Sequence, residues 1–127
     1  MKGINQRKCL KKEVREKEII KNKPSVWIWG GDNVYSDTDD MNKLRSDYIE
    51  QWNPRGYQDL AHSVTVLATW DDHDYGANNA GIDYPKKVES QKLHLDFMGI
   101  SPTSSRRQRE GIYYSLVIGD VKFFFLD

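Results

Sequence analysis

The chain has 127 residues, of which 38% are hydrophobic and 30% charged, and its formal net charge is zero. This length suits one small domain, and the aromatic content of 12% is too high for a disordered segment. The single cysteine, Cys9, excludes an intramolecular disulfide, and no apolar run approaches the roughly 20 residues of a membrane span.

The charges are unevenly distributed along the chain. Residues 1–23 carry nine Lys and Arg against three Glu, whereas residues 24–127 carry ten against sixteen Asp and Glu. We interpret residues 1–23 as a basic helical segment with a solvated face, and residues 24–127 as the domain proper. The acidic excess of the domain favours cation binding and argues against specific nucleic-acid recognition.

The first half of the chain predicts helices around a short strand. A helix is predicted over residues 9–22, and Pro24 ends it. The apolar residues 26–29 predict a strand that is buried on both faces. A helix from 41 to 52 follows, and then a short helix to about 61. The apolar stripe that predicts the longer helix is Met41, Leu44, Tyr48 and Trp52.

The second half begins with another buried strand, predicted over residues 64–69. Residues 71–84 are rich in Gly, Asn and Asp and predict a long loop of the kind that carries function. Pro85 suits a first helical turn, and the helix is predicted to continue to about residue 98. His62 and His94 lie in helical segments, and we interpret both as structural or exposed.

Two strands are predicted near the end of the chain, over residues 111–118 and 121–126. The two-residue Gly119-Asp120 link between them is typical of a hairpin turn. The preceding alternation of helices and strands predicts a parallel sheet that packs against helices. The fold class expected from the sequence is therefore α/β.

Two polar blocks follow the two buried strands. The first block is GGDNVYSD at residues 30–37, and the second is TWDDHDYGANN at residues 69–79. In an open α/β sheet, the loops at the carboxyl ends of neighbouring strands converge. If the two strands are neighbours, Asp32, Asp71 and Asp72 share one rim of the sheet.

Clustered carboxylates repel one another, and a bound cation is the usual compensation. Oxygen ligands favour Ca²⁺, Mg²⁺ or Mn²⁺, and a phenolate from Tyr35 would favour Fe³⁺. Such a metal could polarise a phosphoryl oxygen and activate water. His73 lies beside the carboxylates and could protonate a leaving alkoxide.

Each of these residues also has a plain structural interpretation. Asp32 could cap a turn, residues 71–74 could form a solvated acidic turn, and His73 could be a hydrogen-bonded loop histidine. The position of both blocks directly after buried strands favours the functional interpretation.

The motifs resemble those of the PhoD-like alkaline phosphatases, which belong to the calcineurin-like metallophosphatase superfamily. The residues that carry the resemblance are GDNVYSD at 31–37, WDDHD at 70–74 with Asn78-Asn79, and FFLD at 124–127. The resemblance extends from about residue 20 to residue 127.

The resemblance implies a phosphomonoesterase or phosphodiesterase with an iron–calcium or similar multinuclear centre, with Mn, Mg and Zn as alternatives. It implies that Asp32 bridges metals, that Tyr35 ligates iron and that His73 contacts phosphate or acts as the acid. Either Asn78 or Asn79 would be a further ligand or substrate contact. The candidate metal ligands are Asp32, Tyr35, Asp71, Asp72, Asn78 and Asn79, and the candidate catalytic residue is His73.

The implied fold is a metallophosphatase-type β-sandwich flanked by helices, an α/β/β/α arrangement, incomplete at both ends. The family's Gly-Ser-Cys block has no match here, and Cys9 does not take its role. The chain also stops before the family's following Arg and later histidine. We therefore expect part of a larger hydrolase with an incomplete site, acting on a phosphate ester. The alternative is a non-catalytic domain that at most binds a divalent ion.

Overall fold

Residues 15–127 are described by a computed structural model. The predicted helix over 9–22 therefore lies partly outside the described residues. Within them, residues 15–21 are helical, and we call this segment α1.

The remaining elements follow in the predicted order. They are β1 (Val26–Gly30), α2 (Met41–Trp52), α3 (Arg55–Ser63), β2 (Thr65–Thr69), α4 (Asp72–Tyr75), α5 (Lys87–Phe97), a 3₁₀ turn (Ser105–Arg107), β3 (Tyr114–Ile118) and β4 (Val121–Phe125). The main difference is α4, because the sequence predicted a continuous loop over residues 71–84. That prediction is wrong for the four residues of α4, which form one helical turn.

Strands β1 and β2 pair in parallel, in a register that runs from Val26 opposite Thr65 to Gly30 opposite Thr69. The predicted parallel sheet is thus confirmed, and the two polar blocks follow the carboxyl ends of the two paired strands. The expectation that β1 is buried on both faces is wrong, because Ile28 is 43% exposed. Side chains alternate along a strand, so Ile28 points away from the face on which Trp29 contacts Tyr57.

Strands β3 and β4 form the predicted antiparallel hairpin, with Ile118 opposite Val121. Gly119 in the turn has φ 58°, a left-handed conformation that glycine adopts without a steric penalty. The hairpin is a second two-stranded sheet and lies beside β2. There the Ala68 amide donates to the Tyr114 hydroxyl at 3.2 Å. The architecture of the described residues is α/β, with two small sheets and flanking helices.

The core anchors both polar blocks. Val34 of the first block is buried with Leu44, Tyr48 and Leu93, between α2 and α5. Trp70 of the second block is buried in another cluster, with Leu95 and Ile112. Burial of a large apolar side chain contributes about 1.5–3 kcal/mol, so each block is held in place by at least one such residue. Over residues 15–127, no helix is both long and apolar enough to span a membrane.

Candidate metal centre

The two polar blocks are in contact directly beyond the strands. Gly31 has φ 110°, and a Cβ atom at this position would lie 2.9 Å from Cβ of Asp71. A larger residue would therefore meet both backbone strain and a steric clash. Glycine at this position lets the first block turn closely against the beginning of the second.

Helix α4 is formed by a reciprocal capping arrangement. The Asp71 carboxylate accepts from the Asp72 amide at 2.9 Å, and the Asp74 carboxylate accepts from the Asp71 amide at 3.0 Å. Together these contacts make a capping box, the side-chain arrangement that begins helices. The D-x-x-D spacing is a signal from which the sequence could have predicted this turn. The turn places Asp72 and His73 side by side at its beginning.

Asp32, Asp72 and His73 form one group. Each offers one ligand atom, and these atoms all lie within 4.8 Å of one another. All three residues are partly buried. The structure thus brings together one residue of the first block and two of the second, 40 or more positions apart.

One unpartnered oxygen of this group fits a cation. Oδ1 of Asp32 is buried and accepts no hydrogen bond from residues 15–127. A buried oxygen without a donor is costly, and a hard cation satisfies such lone pairs. The donor set, two carboxylates and an imidazole with a phenol nearby, therefore suits a divalent or trivalent metal.

Tyr35 contacts this group through Asp32. Its hydroxyl donates to Oδ2 of Asp32 at 2.7 Å, and its side chain is largely exposed. The hydrogen bond to Asp32 raises the pKa of Tyr35, with smaller contributions from desolvation and nearby carboxylates. Tyr35 is thus a hydrogen-bond donor to Asp32.

His73 is held by the first block. Nδ1 of His73 lies 3.0 Å from Oδ1 of Asp37, and the Tyr35 ring lies 4.3 Å from the imidazole. The contact with a carboxylate assigns a hydrogen to Nδ1 and leaves the lone pair of the neutral ring on Nε2. Asp37 belongs to the first polar block, but no local pattern predicts that it pairs with His73.

The carboxylate of Asp72 is stabilised by the loop that follows α4. The Asn79 amide donates to Oδ2 of Asp72 at 2.5 Å, and this bond is the main reason why the pKa of Asp72 is lowered. The side chains of Asn78 and Asn79 are exposed, and the Asp71 carboxylate caps α4. Asp71, Asn78 and Asn79 lie outside the three-residue group, so their roles as ligands stay predictions.

Left-handed backbone conformations occur at three non-glycine residues of these loops. Asp32, Asp37 and Asn79 have φ of 50°, 45° and 60°. Non-glycine residues rarely adopt such angles, which cost about 1–3 kcal/mol each and occur often at functional sites. Asp and Asn tolerate them best, and here each of the three contacts or belongs to the Asp32, Asp72 and His73 group.

Asp74 is the residue of this region that the sequence did not single out. Its side chain is fully buried and accepts hydrogen bonds from both blocks. Burial raises the pKa of Asp74, and the hydrogen bonds from Asp71, Asn33 and Val34 oppose this rise. The D-x-x-D spacing indicates its capping role, but no pattern in the sequence predicts its burial, because burial depends on tertiary packing.

Comparison with known proteins gives no relative. No family model matches the chain, and no curated protein or solved structure shows significant similarity to it.

Proposed function

We propose that this chain carries the metal-binding part of a phosphoric ester hydrolase of the PhoD-like type, with phosphomonoesters or phosphodiesters as substrates. The observation that carries the proposal is the grouping of Asp32, Asp72 and His73 at one edge of a parallel strand pair. The proposal includes the fold of that family, a metallophosphatase-type β-sandwich.

Electrostatics supports a metal at this group. Two carboxylates at such short range repel each other by about 1 kcal/mol in water and by several kcal/mol at the effective dielectric of a protein surface. A cation between them reverses the sign of that interaction. We propose iron with calcium as the resident metals, and Mn, Mg or Zn as alternatives. When bound, the metal ions would polarise a phosphoryl oxygen and supply a hydroxide near neutral pH.

The chain's own residues have separate tasks in this proposal. Asp32 and Asp72 would hold the metal ions, and Tyr35 would be a further ligand once its phenol has lost its proton. In its doubly protonated form, His73 would donate the proton on Nε2 to the leaving alkoxide, and the contact of Nδ1 with Asp37 would keep the imidazole oriented for that transfer. General acid catalysis of this kind contributes about 10²–10⁴-fold to a rate.

A second candidate function is metal binding without catalysis. The group offers three protein ligands, and the cysteine block of the PhoD-like family has no counterpart in the sequence. A domain with this ligand set can hold one divalent ion without completing a multinuclear centre.

The test combines metal binding with turnover in the full chain. Equilibrium dialysis measures the binding of Mn²⁺, Ca²⁺ and iron, and a chromogenic phosphodiester and phosphomonoester report hydrolysis. We expect metal-dependent hydrolysis that Asp32→Asn and Asp72→Asn abolish together with metal binding. In the hydrolase His73 is the acid and not a metal ligand, so His73→Gln should keep most of the metal affinity and lose turnover by about 100-fold or more.

Asp83→Asn is the matched control, because it removes one exposed carboxylate from the loop after α4. It should leave both binding and hydrolysis unchanged. Metal binding without hydrolysis would support the second candidate function. Absence of metal binding in the wild-type chain would refute both.

A further inference from the structure

The Asp74 carboxylate connects the residues next to both carboxylate ligands. Its Oδ1 accepts from the Asn33 amide at 3.0 Å and from the Val34 amide at 3.2 Å. Its Oδ2 accepts from Nδ2 of Asn33 at 3.0 Å and from the Asp71 amide at 3.0 Å. Asn33 directly follows Asp32, and Asp71 directly precedes Asp72.

This arrangement requires a carboxylate. All the groups that face the side chain are donors, and an ionised carboxylate is a pure acceptor with about four lone-pair sites. An amide of the same shape would turn one oxygen into an NH₂ group that faces other donors. A buried donor left without an acceptor costs about 1–3 kcal/mol. Isosteric replacement of Asp74 would therefore disturb the contact between the two blocks.

Two buried side chains extend this contact to helices α2 and α5. The Tyr48 hydroxyl lies 3.3 Å from Oδ1 of Asp74 and 3.4 Å from Nδ1 of His94. The hydroxyl has one hydrogen and donates it to the carboxylate, so Nδ1 of His94 must be the donor to the Tyr48 oxygen. Nε2 of His94 then carries a lone pair, and it has no partner among residues 15–127.

We propose that Asp74 is a positioning residue of the metal centre: it fixes the spacing between Asp32 and Asp72 by binding the backbone beside each of them. Tyr48 and His94 hold Asp74 in place from the helices. Asp74 itself contacts neither the metal nor the substrate. The inference rests on the proposed function in one respect, since it requires that the group of Asp32, Asp72 and His73 binds metal.

The experiment measures the dissociation constant for Mn²⁺ by equilibrium dialysis, together with the melting temperature, in the full chain. Asp74→Asn should raise the dissociation constant by about 10- to 100-fold, the range for residues that support metal ligands. Leu60→Ala is the control for stability, because Leu60 is fully buried in α3, outside both polar blocks. It should lower the melting temperature and leave the dissociation constant for Mn²⁺ unchanged at temperatures where the protein is folded.

Tyr48→Phe provides a second variant in case Asp74→Asn does not fold. It removes one hydroxyl and keeps the aromatic ring in the core. Loss of a single hydrogen bond to Asp74 should weaken Mn²⁺ binding by about threefold. This variant alone then decides the question.

The outcomes separate this inference from the proposed function. If the wild-type chain binds Mn²⁺ and the folded Asp74→Asn chain binds it equally well, the positioning role is wrong and the metal centre stands. An equal loss of affinity in Leu60→Ala would also overturn the positioning role, because general destabilisation would then explain the effect. If the wild-type chain does not bind Mn²⁺, the proposed function fails and the positioning role fails with it.

Discussion

Asp37 and His73 meet across the two polar blocks, with 3.0 Å between Oδ1 of Asp37 and Nδ1 of His73. The Tyr35 ring contacts the same imidazole at a centroid distance of 4.3 Å. Two residues of the first block therefore hold a histidine of the second. The orientation and tautomer of His73 therefore depend on a contact between the loops that follow β1 and β2. The two residues in contact, Asp37 and His73, lie 36 positions apart in the sequence.

We expect Asp37→Ala to release the His73 ring. In the proposed hydrolase, kcat should fall by about 10- to 100-fold, because the acid is no longer held in one orientation. Nitrogen NMR of the imidazole should show a shift from the Nδ1–H tautomer towards the Nε2–H tautomer. Asp39→Ala is the matched control: it removes a neighbouring exposed carboxylate and should change neither kcat nor the tautomer of His73. An unchanged tautomer in Asp37→Ala would contradict the role of this contact.

Mn²⁺ should stabilise the wild-type chain against heat. A ligand that binds only the folded state adds about 2.7 kcal/mol at about 100 times its dissociation constant. Asp72→Asn should lose this stabilisation, because it removes one of the two carboxylates in the group of Asp32, Asp72 and His73. Thermal unfolding with and without Mn²⁺ measures the effect, and Asp83→Asn should respond as the wild type does. An equal Mn²⁺ response in Asp72→Asn would place the metal elsewhere.

Gly76→Ala should destabilise the fold. Gly76 has φ 122°, and a Cβ atom there would lie 2.5 Å from the Thr38 carbonyl oxygen. The Thr38 amide also donates to the Gly76 carbonyl, so the backbones of the two loops cannot easily separate. We expect a loss of more than about 1 kcal/mol in the free energy of unfolding, measured with urea.

Gly81→Ala in the same loop is the comparison for Gly76. A Cβ atom at Gly81 would meet nothing within 4 Å, so this change should be neutral or slightly stabilising. If both substitutions gave the same free energy of unfolding, the close approach of Gly76 and Thr38 would not matter for stability.

His94 should make the stability depend on pH. Burial, with a smaller effect of Arg106, lowers the pKa of His94 from 6.5 to about 3. Between these two values the unfolded chain binds the proton and the folded chain does not. The contribution of His94 to the free energy of unfolding is therefore fully present above pH 6.5. It is lost as the pH decreases towards 3, by up to about 1.4 kcal/mol per pH unit.

The pH dependence is measured by urea unfolding at a series of pH values. His94→Gln should reduce the slope below pH 6.5, because no imidazole remains to be protonated on unfolding. Leu60→Ala should lower the free energy of unfolding by a similar amount at every pH and keep the wild-type slope. A wild-type slope in His94→Gln would contradict the assignment of the effect to this residue.

Helix α2 was predictable from the sequence because its signal is local. The stripe of Met41, Leu44, Tyr48 and Trp52 predicts a helix over the same residues that the structure shows, Met41–Trp52. The parallel strand pair and the hairpin were also predicted, from apolar runs and a two-residue link. Helix α4 was missed, because one turn of helix has no periodicity to detect and depends on its capping box.

The sequence by itself determined the order of the elements and the position of two carboxylate-rich blocks directly after parallel strands. It did so because periodicity and apolar runs are local properties. The D-x-x-D spacing already indicates that Asp71 and Asp74 cap α4. Only the tertiary structure showed that Asp72 joins Asp32 and His73 and that Asp74 is buried among donors. The physical reason is that burial depends on distant parts of the chain: the Asn33 and Val34 amides that donate to Asp74 lie 41 and 40 positions away in the sequence.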